Sequence, residues 1–248
     1  MSGEKQRLDL ALVERGLAPT RARAQGAIRA GKVRIGGKAA AKPSDMVGDA
    51  DEIEIDGLEH PYVSRGALKL VHALNAFGLN PAGATCVDLG ASTGGFTQVL
   101  LARGAAKVVA IDVGHGQLAK EVAADPRVRS IEGLNAKDIT RDAVPERVSM
   151  IVADLSFIGL RKALPPALAL AERGAMLVAL IKPQFEVGRE NVGRGGIVRD
   201  NALRQRICGE IASWLEDEAG WRVLGTTESP IEGGDGNVEY LIAARHDK

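Results

Sequence analysis

The sequence predicts an open, doubly wound α/β domain preceded by a small α+β domain. Three observations lead there. From residue 64 onward, apolar strand-like runs alternate with helical stretches, the pattern of a parallel sheet with crossover helices. One run, Thr85 to Leu89, carries an acid and leads into the small-residue loop Gly90-Ala91-Ser92-Thr93-Gly94-Gly95 and an apolar helix start at Phe96. The first sixty residues differ from the rest: they are basic, and their apolar residues are too few for a catalytic core.

At 248 residues the chain has room for one large and one small domain. The expected division is 1–60 and 61–248, with 57–63 as a linker around Pro61. Cys86 and Cys208 form neither a metal-ligand spacing nor a disulfide framework, so no metal and a reducing, cytoplasmic setting are expected. No signal peptide is recognisable at the start. The most apolar long window, Ala163 to Ile181, contains Pro165, Pro166, Glu172 and Arg173, which argues against stable membrane insertion. Net charge is zero but unevenly spread. Residues 1–44 carry ten Lys/Arg and three acids, whereas residues 45–60 carry seven acids and no Lys/Arg. A basic lobe beside an acidic strip suits an anionic polymer, although two solvated faces would look the same.

In the first lobe, Arg7 to Glu14 reads as a short helix ended by Gly16. Thr20 can cap a second helix running to Ala30. Val33-Arg34-Ile35 alternates as a strand, Gly36-Gly37 turns, and Ile53-Glu54-Ile55 offers a partner. After the linker, Ser64 is expected to cap a helix whose apolar face is Leu68, Val71, Leu74 and Phe77. Lys69 lies beside that face and reads by default as a surface lysine. Strands are expected at 84–89, 106–111, 127–131, 148–153, 174–181, 221–227 and 238–244. Helices are expected at 95–103, 115–124, 158–171 and 199–219. The last two strands, joined without a helix, suggest an antiparallel pair at one side.

Ligands of such sheets lie beyond the carboxyl ends of the strands. A dinucleotide site wants G-x-G-x-x-G, but Ser92 stands where the second glycine would be. An acid before the glycine loop suits a positively charged ligand end, such as the amino group of S-adenosylmethionine. Asp112, ending the next strand, suits a ribose diol. The plainer alternative is a glycine-rich turn with Asp88 capping a helix. Other strand ends carry Asp154, Lys182 and Glu239, which with Lys69 place two lysines and two acids around one opening.

Two resemblances sharpen this reading. Arg7-Leu8-Asp9, Gly16-Leu17, Thr20-Arg21, Ile28, Gly31 to Ile35, Gly37 and Lys42-Pro43-Ser44 resemble the alpha-L RNA-binding motif. That likeness implies shape and phosphate recognition of folded RNA, with Arg7, Arg21, Arg23, Lys32, Arg34 and Lys38 as contacts. Ser-Arg-Gly-Ala-Leu-Lys-Leu (64–70), Asp-Leu-Gly-Ala-Ser-Thr-Gly-Gly-Phe-Thr (88–97), Ala-Asp-Leu-Ser-Phe-Ile (153–158), Lys-Pro-Gln-Phe-Glu-Val-Gly (182–188) and Gly-Asn-Val-Glu-Tyr (236–240) resemble the haemolysin A/TlyA family. Its members join the RNA-binding motif to a Rossmann-like, seven-stranded methyltransferase domain of the FtsJ/RrmJ type.

The resemblance implies S-adenosylmethionine-dependent ribose 2′-O-methylation of a cytidine in ribosomal RNA, with the RNA or a ribosomal subunit as partner. The family's Lys-Asp-Lys-Glu set falls on Lys69, Asp154, Lys182 and Glu239. Lys182 is the expected base, oriented by Lys69 and Asp154, with Glu239 completing the network. Asp88, Gly90, Ser92, Gly94, Gly95, Phe96, Asp112, Asn135 and Asp154 are the expected cofactor contacts. The loop Val187 to Ile197 reads as a lid or as an ordinary surface loop. The Arg-x-Trp-Val linker of some relatives is replaced here by Glu59-His60-Pro61-Tyr62-Val63. Three other readings compete: a nicotinamide oxidoreductase, a non-catalytic ribosome assembly factor, and the membrane-lytic role in the family's historical name.

Overall fold

A computed structural model describes residues 5–15, 17–18, 21–48, 51–55, 62–188, 191–193, 195–233 and 236–247. The chain divides into two compact units, 1–63 and 64–248.

In the first unit, β1 (Gln6–Arg7) leads directly into α1 (Leu8–Glu14), and α2 (Arg21–Arg29) follows. Gly16 and Thr20, expected to stop and start these helices, lie outside the described residues. The strands β2 (Val33–Ile35), β3 (Lys38–Ala39) and β5 (Ile53–Ile55) form an antiparallel sheet with β2 in the middle. Gly36 and Gly37 both take positive φ in the β2–β3 turn, where a side chain would be strained. Strand β4 (Met46–Val47) pairs with β1. Leu8, Leu12, Ile28, Val33 and Val47 pack into a small core.

The second unit opens with α3 (Gly66–Ala76). Ser64 does not cap it: the residue before the helix is Arg65, and no side chain bonds the helix N-terminus. The buried face also differs from expectation. It is Ala67, Leu70, Ala73 and Leu74, and it includes Lys69. Ala67 and Ala73 carry weak apolar signals, so the periodicity pointed one step around the helix.

Seven strands form one sheet in the order β11-β12-β10-β9-β6-β7-β8. They are β6 (Thr85–Leu89), β7 (Lys107–Asp112), β8 (Val128–Glu132), β9 (Val148–Ala153), β10 (Ala171–Ile181), β11 (Arg222–Glu228) and β12 (Tyr240–Arg245). The first five run parallel; β12 is antiparallel to both β10 and β11. The expected antiparallel pair is therefore present, with β12 inserted beside β10 and starting two residues later than predicted.

Helices α4 (Gly95–Ala102) and α5 (Lys120–Ala123) follow β6 and β7. The predicted helix at 115–124 shrinks to α5: Gly116 takes a positive φ, and Ala119, just before the helix, has ψ of 139°. The predicted helix at 158–171 is two short ones, α6 (Leu160–Ala163) and α7 (Pro165–Leu168). The break falls where Pro165 lacks an N–H for the helix ladder. A short α8 (Pro183–Glu186) and the long α9 (Asn201–Asp217), capped by Asp200, complete the unit.

Along the central strands, alternate residues point to opposite faces. Leu89, Ile111, Ile151, Leu177 and Ile242 share one core with α6, α7 and α9. The order of strands reverses between β6 and β9, whose ends meet through Asp154 N–H donating to the Leu89 carbonyl at 2.9 Å. This is where an open α/β sheet leaves a crevice. No helix among the described residues is long and apolar enough to cross a membrane.

Candidate active site

Two cavities flank that reversal point. The first, about 430 Å³, is lined by Ser64, Arg65, Lys69, the loop residues Gly90 to Thr93, Gly95, Phe96, Asp154 and Glu232. The second, about 580 Å³, is lined by Gly90, Ser92, Ile111, Asp112, Leu134, Asn135, Lys137, Asp154, Ser156, Phe157 and Ile158, among others. Gly90, Ser92 and Asp154 border both.

Gly90 is required by space as well as by backbone. Its φ is +78°, and a Cβ there would sit 2.5 Å from the Asp154 carbonyl oxygen. At Gly95 the crowding comes from a side chain, since a Cβ would fall 2.1 Å from Ser64 Oγ. Ser92 itself takes a positive φ of 48°, and its N–H donates to Asp112 Oδ2 at 2.8 Å. The other oxygen of Asp112 accepts from Gly114 N–H at 2.7 Å. Each carboxylate oxygen has a second lone pair, so Asp112 can still receive a ligand hydroxyl.

The four charged residues expected to act together meet. Lys69 Nζ lies 2.5 Å from Glu239 Oε2, and Lys182 Nζ lies 2.6 Å from Asp154 Oδ1. All but Asp154 are at least nine-tenths buried by side chain. Lys69 and Asp154 reach the cavity walls, whereas Lys182 and Glu239 do not. Burial raises the Glu239 carboxyl above its ordinary range, while Lys69 and, less strongly, Lys182 oppose the shift. That both amines act on one carboxyl marks the four groups as a coupled set.

Two expected cofactor contacts stand elsewhere. Asp88 lines neither cavity. It is wholly buried, and its Oδ2 accepts from Thr97 Oγ1 of α4 at 2.6 Å. Burial pushes its carboxyl up to about 7, with the Thr97 bond working against the shift. As Asp88 precedes the strand's last residue, the alternation turns it away from Leu89 and toward α4. Gly94 also lines neither cavity: a Cβ on it would press against Leu118 and Val122 instead.

Three contributors were not apparent from sequence. Ser156 Oγ accepts from Lys182 Nζ at 3.0 Å. Glu186, on α8, accepts from the Leu160 N–H at 2.8 Å and so ties the loop after β9 to the segment carrying Lys182. Asn237 is buried; its amide accepts from Val198 N–H and donates to the Gly196 carbonyl, both at 2.9 Å, which anchors the end of the glycine-rich loop. Each lies inside one of the quoted motifs, 153–158, 182–188 and 236–240, and that placement is the signal that could have found them.

In the first unit, Arg7 and Arg21 are not simply outward-facing cations. Arg7 donates from Nε and Nη2 to Asp9 at 3.0 Å each, Arg21 donates from Nε at 2.9 Å, and Gln25 from Nε2 at 2.7 Å. These bonds, the Arg7 pair foremost, hold the buried Asp9 carboxyl well below the usual carboxylate range. Lys32, Arg34 and Lys38 are exposed and Arg23 is half-buried.

The residues fit S-adenosylmethionine as a group. The second cavity offers apolar walls from Ile111, Leu134 and Ile158 beside the Asp112 carboxylate and the Asn135 amide, a donor set suited to a nucleoside. The adjoining glycine loop lets a ligand lie against the backbone.

Comparison with known proteins agrees. Residues 62–246 match the FtsJ-like methyltransferase model, and residues 6–53 match the S4 domain. The chain is 50% identical over 242 residues to the 16S/23S rRNA (cytidine-2′-O)-methyltransferase TlyA of Mycobacterium tuberculosis, covering 97% of this chain and 90% of that one. It is 42% identical to Hemolysin A of Brachyspira hyodysenteriae, covering 95% and 98% respectively. A putative hemolysin structure from Streptococcus thermophilus superposes with a TM-score of 0.76 at 38% identity, covering 98% of this chain and 88% of that one.

Proposed function

The chain belongs to the FtsJ-like methyltransferase family, and from that premise we propose that it methylates the ribose 2′-oxygen of a cytidine in ribosomal RNA. One observation supports the chemistry most: two buried lysine–carboxylate pairs each bring one member to a cavity wall, Lys69 to the first and Asp154 to both. The N-terminal S4 domain supports RNA as the partner.

S-adenosylmethionine supplies a methyl group already activated by its positively charged sulfur. The protein is left with alignment and with removal of one proton from a weakly acidic hydroxyl. Lys182 Nζ takes that proton. Asp154, bordering both cavities, holds Lys182 by its charge. Lys69, on the wall of the first cavity, orients the hydroxyl, and Glu239 fixes Lys69 from behind. Gly90, Ser92, Asp112 and Asn135 hold the cofactor, with Gly95 and Phe96 bounding the adjoining first cavity. Asp88 supports the loop through Thr97 rather than touching the ligand.

The test is transfer of a tritiated methyl group to ribosomal subunits from cells lacking the protein. Wild type is expected to label the RNA. Lys182→Ala is expected to lose at least about 100-fold in kcat while binding subunits and cofactor normally. Near-normal turnover by that variant would remove Lys182 from the mechanism.

A further inference from the structure

We propose that Ser156 is a positioning residue for the base, fixing the rotation of the Lys182 amine through the hydrogen bond it accepts. This rests on the reading of Lys182 as the base.

A lysine must be neutral to accept a proton. A neutral amine has two N–H donors and one lone pair, and rotation about the terminal carbon–nitrogen bond exchanges their directions. Lys182 Nζ donates to Ser156 Oγ at 3.0 Å and forms an ion pair with Asp154 Oδ1 at 2.6 Å. Only the contact with Ser156 has hydrogen-bond geometry; Asp154 holds the amine by its charge, so the serine is the partner that sets the rotation. Ser156 and Asp154 both border the second cavity, so both partners tie the amine to that cavity's wall.

The backbone around Ser156 is built to keep it there. The next residue, Phe157, takes a φ of +65°, a conformation that side-chain-bearing residues rarely adopt. Its ring is exposed and rests on Phe185, centroids 5.1 Å apart. Beyond it, the Leu160 N–H is held by Glu186. Phe185 and Glu186 follow Lys182 closely in sequence. The loop after β9 and the segment after β10 are thus fastened together at three points, with the serine hydroxyl at the one nearest the amine.

The step balances simply. The 2′-hydroxyl proton moves to Lys182 Nζ, which becomes an ammonium. The oxygen's electron pair forms the new O–CH3 bond, and the pair of the broken C–S bond returns to sulfur. Ser156 exchanges no proton; it sets the direction from which the amine receives one.

The experiment measures kcat and KM for methyl transfer to ribosomal subunits from cells lacking the protein. It compares wild type, Ser156→Ala, Ser156→Thr and Lys182→Ala, with cofactor binding followed by calorimetry. Ser156→Ala is expected to lower kcat by roughly 10- to 100-fold, leaving KM for subunits and cofactor Kd within about twofold. Ser156→Thr, which keeps the hydroxyl, is expected to recover to within about threefold of wild type. Unchanged kcat in Ser156→Ala, a loss confined to KM or Kd, or a threonine variant no better than alanine would each overturn the proposal. An inactive Lys182→Ala beside a fully active Ser156→Ala would sink the serine role alone. An active Lys182→Ala would sink the base assignment and the serine role with it.

Discussion

Asp9 and Asp88 are both wholly buried acids, yet their surroundings drive them in opposite directions. Asp9 is surrounded by donors, and its folded carboxyl titrates below the unfolded one. Its contribution to stability is present above about pH 4 and is lost as pH falls through the folded value. Asp9→Asn is therefore expected to weaken the first unit at pH 7 by roughly 1–3 kcal/mol and to flatten its acid transition. Hydrogen exchange across residues 8–29 of the full chain checks this; equal protection in both proteins at pH 7 would contradict it. Asp88 has the reverse sign. Its folded carboxyl, near 7 against an ordinary 3.8, keeps a proton that the unfolded chain releases. Its stabilising effect is complete below about pH 4 and is lost as pH rises through 7. The Tm of Asp88→Asn, relative to wild type, should rise from about pH 4 to about pH 7 and level off above it. Parallel profiles would mean that Asp88 is not held protonated.

At the scale of elements, the loop between β6 and α4 depends on a glycine that nothing can replace. Gly90→Ala meets both a positive φ and a backbone oxygen 2.5 Å from the new carbon. A destabilisation of roughly 2–4 kcal/mol and loss of cofactor binding are expected. Gly116 has a similar φ, but open space around it. Gly116→Ala should cost only about 1 kcal/mol and retain binding. Thermal unfolding and calorimetry of the two variants separate crowding from backbone strain; equal effects would show that close approach to Asp154 is unimportant. The same elements show what a sequence can reveal. β6, β7 and β9 were readable because apolar residues dominate these buried parallel strands. α3 was readable as a helix, but its buried side was not, because Ala67 and Ala73 do little to mark it. Lys69 therefore resembled a surface residue until packing placed it opposite Glu239. The turn at Ser156 and Phe157 left no mark at all: neither a serine followed by a phenylalanine nor its spacing predicts a positive φ.

Across the whole molecule, the proposed function assigns RNA binding to the S4 unit and methyl transfer to the FtsJ-like unit. Exposed Lys32 and Lys38 are free of any role in the Asp9 cluster. If they contact phosphates, Lys32→Ala and Lys38→Ala should each reduce the salt slope of RNA binding by about one, with kcat at saturation unchanged. An unchanged slope would place the RNA on another face. The site in the second unit is brought together over long distances, since Lys69 and Glu239 lie 170 residues apart and meet only because β12 inserts beside β10. Sequence motifs named those residues through resemblance, but only topology explains their meeting. The central claim, ribose methylation carried by that meeting, is tested most directly by mapping 2′-O-methyl groups across ribosomal RNA. The cells compared would lack the protein, carry wild type, or carry Lys182→Ala. The account predicts a cytidine 2′-O-methyl mark that is missing without the protein, restored by wild type and still missing with Lys182→Ala. Identical maps in all three, or a mark restored by Lys182→Ala, would contradict it.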